Sequence, residues 1–134
     1  MVKNHLKTLA VPKTWPVNRR MKTFVTKPDS GPHRLGFSVP LNFILRDILK
    51  HADTNKEVKK ILQNNKVLVD GKQRKSTRFP VGIFDTFRID ETKTFFRIIL
   101  NGKGKIDLVA IKGEESKIKP CKITGKTILR NAKT

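Results

Sequence analysis

The chain has 134 residues, and its 30 Lys plus Arg against 11 Asp plus Glu leave a formal charge of +19. Nothing in it approaches the run of about 18 apolar residues that a membrane-spanning helix needs, and its single cysteine, Cys121, cannot close an internal disulfide. The 37% of hydrophobic residues excludes wholesale disorder, and so dense a positive charge implies a polyanionic partner, for which nucleic acid fits better than a membrane surface.

Residues 1–36 carry a net +7 and are punctuated by Pro12, Pro16, Pro28, Gly31 and Pro32, with no helical or strand periodicity. This pattern predicts an extended basic arm that orders only against a partner. Lys3, Lys7, Lys13, Arg19, Arg20, Lys22 and Arg34 are then placed to follow phosphates. For Trp15 two readings stand: stacking on an unpaired base, or packing against the arm or a neighbouring protein.

Residues 37–90 carry +5 and are the best patterned. Pro40 suits a first helical position, and Leu41, Ile44, Leu45, Ile48 and Leu49 fall on one helical stripe. After a break at His51-Ala52-Asp53, the run Thr54-Asn55-Lys56-Glu57 has the form of a capping box. In the helix it starts, Val58, Ile61 and Leu62 share a face opposite Lys56, Lys59 and Lys60, and Asn64-Asn65 marks its end. Lys66-Val67-Leu68-Val69 then reads as a strand, Asp70-Gly71 as a two-residue hairpin turn, and Ile83–Ile89 as a third strand. Residues 91–134, again +7, read as short strands and turns. The apolar runs Phe95–Leu100 and Ile106–Ile111 flank the turn Asn101-Gly102-Lys103-Gly104-Lys105.

The candidate binding surface is Lys56, Lys59 and Lys60, extended by Lys66, Lys72, Arg74, Lys75 and Arg78. The helix start at Thr54 and Asn55 adds backbone N–H donors suited to phosphate. The plainer alternative for the three helical lysines is a solvated face. Other signals fall away. Thr124-Gly125-Lys126-Thr127 has the tail of a nucleotide-binding loop, but Pro120 stands where that loop needs its first glycine. His5, His33, His51 and Cys121 lack metal-ligand spacing, and Asp85 and Asp90 make no acid–base pair. The expectation is therefore no enzyme, no catalytic residue, no cofactor and no metal.

Helix, capped basic helix, then Lys66-Val67-Leu68-Val69-Asp70-Gly71-Lys72 resembles the alpha-L RNA-binding motif. The flanks His5-Leu6-Lys7, Ala10-Val11-Pro12, Trp15, Gly31-Pro32-His33, Val39-Pro40-Leu41 and Phe79-Pro80-Val81-Gly82-Ile83-Phe84-Asp85 resemble the N-terminal part of the archaeal/eukaryotic (e-type) family of small-subunit ribosomal protein four. Many members of the wider motif superfamily open the first helix with Arg-Leu-Asp. Here Val39-Pro40-Leu41-Asn42 stands there, so arginine contacts at that helix start are not carried over. The resemblance implies an α+β fold: a basic arm (1–36), an alpha-L RNA-binding domain (37–90), and a β-rich central region (91–134) that Thr134 leaves partway through. It further implies a structural constituent of the small ribosomal subunit, in the cytoplasm, partnered by small-subunit rRNA and neighbouring ribosomal proteins. No membrane, small-molecule substrate or homo-oligomer is expected. The alternatives are a free-standing ribosome-associated RNA-binding factor and, less fitting for so short a chain, an appendage of an RNA-modifying enzyme.

Overall fold

The computed structural model describes residues 5–20, 22–64, 67–90 and 92–128. Two short strands, β1 (Leu6–Lys7) and β2 (Phe24–Val25), pair antiparallel near the start. β3 (Ser38–Pro40) leads directly into helix α1 (Leu41–Phe43), which continues as a wide turn over Ile44–Ile48. There the Leu49 N–H reaches the carbonyl of Ile44, five residues back, at 2.9 Å. Lys50, at φ 55°, ends the helix. Pro40 stands one residue earlier than expected: it is the cap, with extended φ and ψ, rather than the first helical residue.

Helix α2 (Asn55–Gln63) follows, and then β4 (Val67–Val69), β5 (Lys72–Gln73), β6 (Pro80–Gly82), β7 (Thr86–Ile89), β8 (Thr94–Leu100) and β9 (Ile106–Ile111). Asp70 and Gly71 both take positive φ, 48° and 74°, as the expected two-residue hairpin turn requires. The third predicted strand is shorter than its apolar run. Ile83, Phe84 and Asp85 form a turn instead, with Phe84 at φ 69° and its N–H on the Ile98 carbonyl at 2.8 Å.

β6 pairs with β3, Pro40 standing opposite Pro80. Neither proline has an N–H for a ladder, and the pairing continues instead through the N–H groups of Leu41 and Asn42, which donate to the carbonyls of Phe79 and Thr77 at 3.0 and 2.9 Å. The other strands form one antiparallel sheet in the order β5-β4-β7-β8-β9. The sheet runs unbroken across the division expected at residue 90, because β7 and β8 are close in sequence and pair over four residues. The architecture is α+β: little helix, and antiparallel sheets.

Alternation along the strands sorts the sheet into two faces. Val67, Val69, Phe87, Ile89, Ile98 and Ile106 are buried, with the rings of Phe87 and Phe96 6.4 Å apart. Val39, Leu41, Ile44, Leu45, Val58 and Leu62 complete this core from the helices and β3.

The expectation of an extended arm that orders only against a partner is corrected for the described part of residues 1–36, which packs on the fold. Val11, Trp15 and Val25 belong to the core cluster. The Trp15 ring lies 5.6 Å from that of Phe43, and its Nε1 donates to the Leu35 carbonyl at 3.3 Å. Thr14 ties the segment down further: its Oγ1 donates to the Gly36 carbonyl at 2.6 Å and its own carbonyl accepts from the Ile106 N–H at 2.7 Å. Proline punctuation erased any periodicity, but single apolar side chains still join the core one at a time, and periodicity does not report packing of that kind.

Candidate nucleic-acid interface

Helix α2 is organised by its first turn. Thr54 is the cap, its Oγ1 accepting from the Glu57 N–H at 3.3 Å, while Glu57 Oε2 accepts from the N–H groups of Asp53 at 2.9 Å and Thr54 at 3.3 Å. The bond from the Asp53 backbone, then those from Thr54, hold the Glu57 carboxyl below its ordinary value. A cap of this kind is worth about 1 kcal/mol. With Val58 and Leu62 fully buried, the helix has one possible rotation on the core. That rotation leaves Thr54, Asn55, Lys56, Lys59 and Lys60 exposed on the far side, as the expected surface requires. Gln63 is the last helical residue, and its cap Asn64 has φ at −74°, so Asn64 is not left-handed; Asn65 lies outside the described residues.

The cations of the following segment divide in two. Lys72 and Lys75 are exposed. Arg74 is half-buried, its guanidinium 4.4 Å above the Phe79 ring. Arg78 Nε donates to the Lys27 carbonyl at 2.9 Å and pairs with Asp29 at 3.1 Å. Arg78 therefore spends donor capacity within the fold, while Arg74 is held there by its aromatic contact.

In the N-terminal segment Lys7, Arg19, Arg20 and Lys22 line one cavity of about 340 Å³ together with Thr8, Leu9 and Thr23. They form a cluster, where an extended thread was expected. Arg19 Nη2 donates to the Val11 carbonyl at 3.3 Å and Lys22 Nζ to Asp47 at 2.9 Å, fixing two of the four. Lys13 and Arg34 are exposed. Trp15 is only 3% exposed. Of the two readings for Trp15, packing holds and base stacking is corrected, because its buried ring lies against Phe43 in the core cluster. Lys3 and Lys66 lie outside the described residues.

A polar cluster that sequence reasoning set aside lies beside the hairpin. Asp85 is 2% exposed, and its Oδ2 accepts from the Gly82 N–H at 2.9 Å and faces His33 Nε2 at 2.8 Å. Its Oδ1 binds Lys119 Nζ, which also binds Asp70 at 2.6 Å. Asp70 in turn accepts from the Thr86 N–H at 2.8 Å. Burial would raise the Asp70 carboxyl, but the bonds from Lys119 and Thr86 outweigh it and hold it below its ordinary value. Lys119 likewise is raised by its two carboxylates against the opposing effect of burial. The His33 ring lies against Gly82 so closely that a Cβ there would stand 2.2 Å from it, and a Cβ on Gly31 would stand 2.5 Å from Pro80. Gly31-Pro32-His33 and Pro80-Val81-Gly82, read in the sequence as separate stretches, are thus two halves of one clasp. The available signal was a carboxylate inside the apolar run Ile83-Phe84-Asp85-Thr86-Phe87, which calls for buried partners.

Among the described residues no group of His, Cys, Asp and Glu is placed to hold a metal ion, and no helix is long and apolar enough to cross a membrane. Among the described residues the arrangement offers exposed cationic side chains on α2 and in the N-terminal segment.

Comparison with known proteins follows the same lines. Residues 2–36 match the model of the RS4NT domain, and residues 92–134 match that of ribosomal family S4e. Small ribosomal subunit protein eS4 of Methanocella arvoryzae is 46% identical over 133 residues, 99% of this chain and 56% of the relative. Its counterpart in Nanoarchaeum equitans is 44% identical over 98% of this chain and 57% of its own length. The chain spans about half the length of the curated relatives it matches. The crystal structure of the 30S ribosomal protein S4e from Thermoplasma acidophilum superposes with a TM-score of 0.56 at 34% identity, covering 69% of this chain and 47% of that one.

Proposed function

Because the chain belongs to ribosomal family S4e, we propose that it is a structural, non-enzymatic constituent of the small ribosomal subunit, binding rRNA by phosphate neutralisation and shape recognition in the cytoplasm. Its partners are small-subunit rRNA and neighbouring ribosomal proteins. The observation that carries this reading is the capped helix α2, whose buried Val58 and Leu62 hold Lys56, Lys59 and Lys60 exposed on one side. Residues 37–90 act as an alpha-L RNA-binding unit, α2 and the hairpin of β4 and β5 facing the RNA. The clustered Lys7, Arg19, Arg20 and Lys22 supply a second group of phosphate contacts, with Lys3 and Lys66 completing the cationic set.

Lysine point charges on a rigid helix suit folded RNA. A-form helices offer their phosphates and 2′-hydroxyls more readily than base edges, so recognition rests on where charge is held. Fractionating tagged chain with ribosomes on sucrose gradients tests the assignment. Stoichiometric retention with the small subunit through a high-salt wash is expected. Release at moderate salt, or migration away from subunits altogether, would replace it with a transient ribosome-associated factor.

A further inference from the structure

The second face of the sheet, away from the core, carries a cleft of about 440 Å³, inside the ~300–1,000 Å³ range of small-ligand sites. Its floor is a cross-strand row: Leu68 stands opposite Arg88, and Arg88 opposite Phe95. The Arg88 guanidinium lies 5.1 Å above the Phe95 ring, and Asp90, 2.8 Å from Arg88 Nε, steadies it from the edge. The result is a stacked platform, the guanidinium over the aromatic ring, with 41% of the Arg88 side chain exposed.

One wall is the segment 113–119 that follows β9, and it is tied to the sheet at both ends. Arg97 Nη2 donates to the carbonyls of Glu115, at 2.6 Å, and Ile118. Lys119 binds Asp70 and Asp85. Between these ties the wall stands off the platform, with Lys117 exposed at the rim.

We propose that this cleft holds one unpaired nucleobase of the bound RNA, stacked on the Arg88–Phe95 platform with its phosphate at Lys117. This rests on the rRNA-binding reading above. Stacking on an aromatic or a guanidinium plane suits any base, since each has a π-face. A floor of Leu68 and Phe95 desolvates a heterocycle well and a bare phosphate poorly. The Asp70 carboxylate in the same wall is already satisfied by Lys119 and Thr86, so its charge is compensated where a phosphate would pass. None of Arg88, Phe95 and Lys117 belongs to the phosphate surface on α2, so the cleft adds a contact of a different chemical kind.

The test uses the full chain and a short single-stranded RNA containing one 2-aminopurine, whose fluorescence is quenched on stacking. The parent is expected to quench it. Phe95→Leu, which keeps an apolar side chain, and Arg88→Lys, which keeps the charge, should each abolish the quenching and weaken single-strand binding about tenfold. Binding to an unbroken RNA duplex should be unaffected. Should Phe95→Leu prove unstable on heating, Arg88→Lys, at a partly exposed position, decides alone. Undiminished quenching in Arg88→Lys overturns the cleft. A parent that binds duplex without quenching the probe also overturns the cleft but leaves the rRNA reading standing, whereas a parent that binds neither RNA overturns the reading itself.

Discussion

On helix α2 the cations stand off the fold, whereas around the clasp and the second face of the sheet they are built into it. Lys56, Lys59 and Lys60 are exposed on a helix whose rotation is set by Val58 and Leu62. Arg74, Arg78, Arg88, Arg97 and Lys119 instead sit on aromatic rings, backbone carbonyls or carboxylates of the same chain. The 30 Lys and Arg side chains are therefore not equally available to a polyanion. A side chain already ordered by internal bonds can still meet RNA, but it brings fewer open donors and less movable charge. Salt dependence should report the exposed set, and unfolding the built-in set.

The largest effect separating the two regions is expected from Asp85→Ala. Removing a carboxylate that is 2% exposed leaves the Gly82 N–H and His33 without their acceptor and strips Lys119 of one of two partners. The loss should be about 2–4 kcal/mol in urea unfolding, towards the lower end of the range for broken buried pairs because Lys119 can rehydrate. RNA affinity measured well below the unfolding transition should change little. An Asp85→Ala protein as stable as the parent would mean that the clasp does not hold the sheet and the 31–33 segment together.

Next in size is the simultaneous replacement of Lys56, Lys59 and Lys60 by alanine. The log–log slope of RNA affinity against salt should flatten by about two to three, with the unfolding midpoint nearly unchanged. An unaltered slope would move the phosphate surface to the cluster of Lys7, Arg19, Arg20 and Lys22.

The smallest effect is a pH dependence. Asp70 is held below its ordinary value in the fold. Its contribution is therefore complete above the unfolded carboxyl value near ~3.9 and disappears as pH falls through the lower folded value. Between about pH 5 and pH 3 the parent should lose stability more steeply than Asp70→Asn. The difference should be about 0.3–1 kcal/mol, as for a pair that is partly exposed and screened by solvent. Asparagine keeps the left-handed backbone available at the turn, so an equal slope in the two proteins would remove Asp70 from the network.

Helix α2 with its capping box, the Asp70-Gly71 turn and the β8–β9 hairpin could all be read directly from the chain, because each depends on residues within a few positions of one another. The exposed Lys56, Lys59 and Lys60 followed from the same helical period. The packed state of Val11, Trp15 and Val25, the facing of Gly31-Pro32-His33 with Pro80-Val81-Gly82, and the internal commitments of Arg74, Arg88 and Lys119 could not be read that way. Most of their partners lie tens of residues off in sequence, as Trp15 meets Phe43, His33 meets Asp85 and Lys119 meets Asp70, whereas Arg74 and Arg88 meet Phe79 and Phe95 only five and seven residues on, through contacts that no local period announces. Composition and local periodicity by themselves determined that the chain is cationic, suited to a polyanion, and patterned as helices followed by short strands. Beyond the lysines of α2, only tertiary structure decided which cations hold the fold, because desolvation and pairing depend on what the folded chain brings within a few ångströms of each charge.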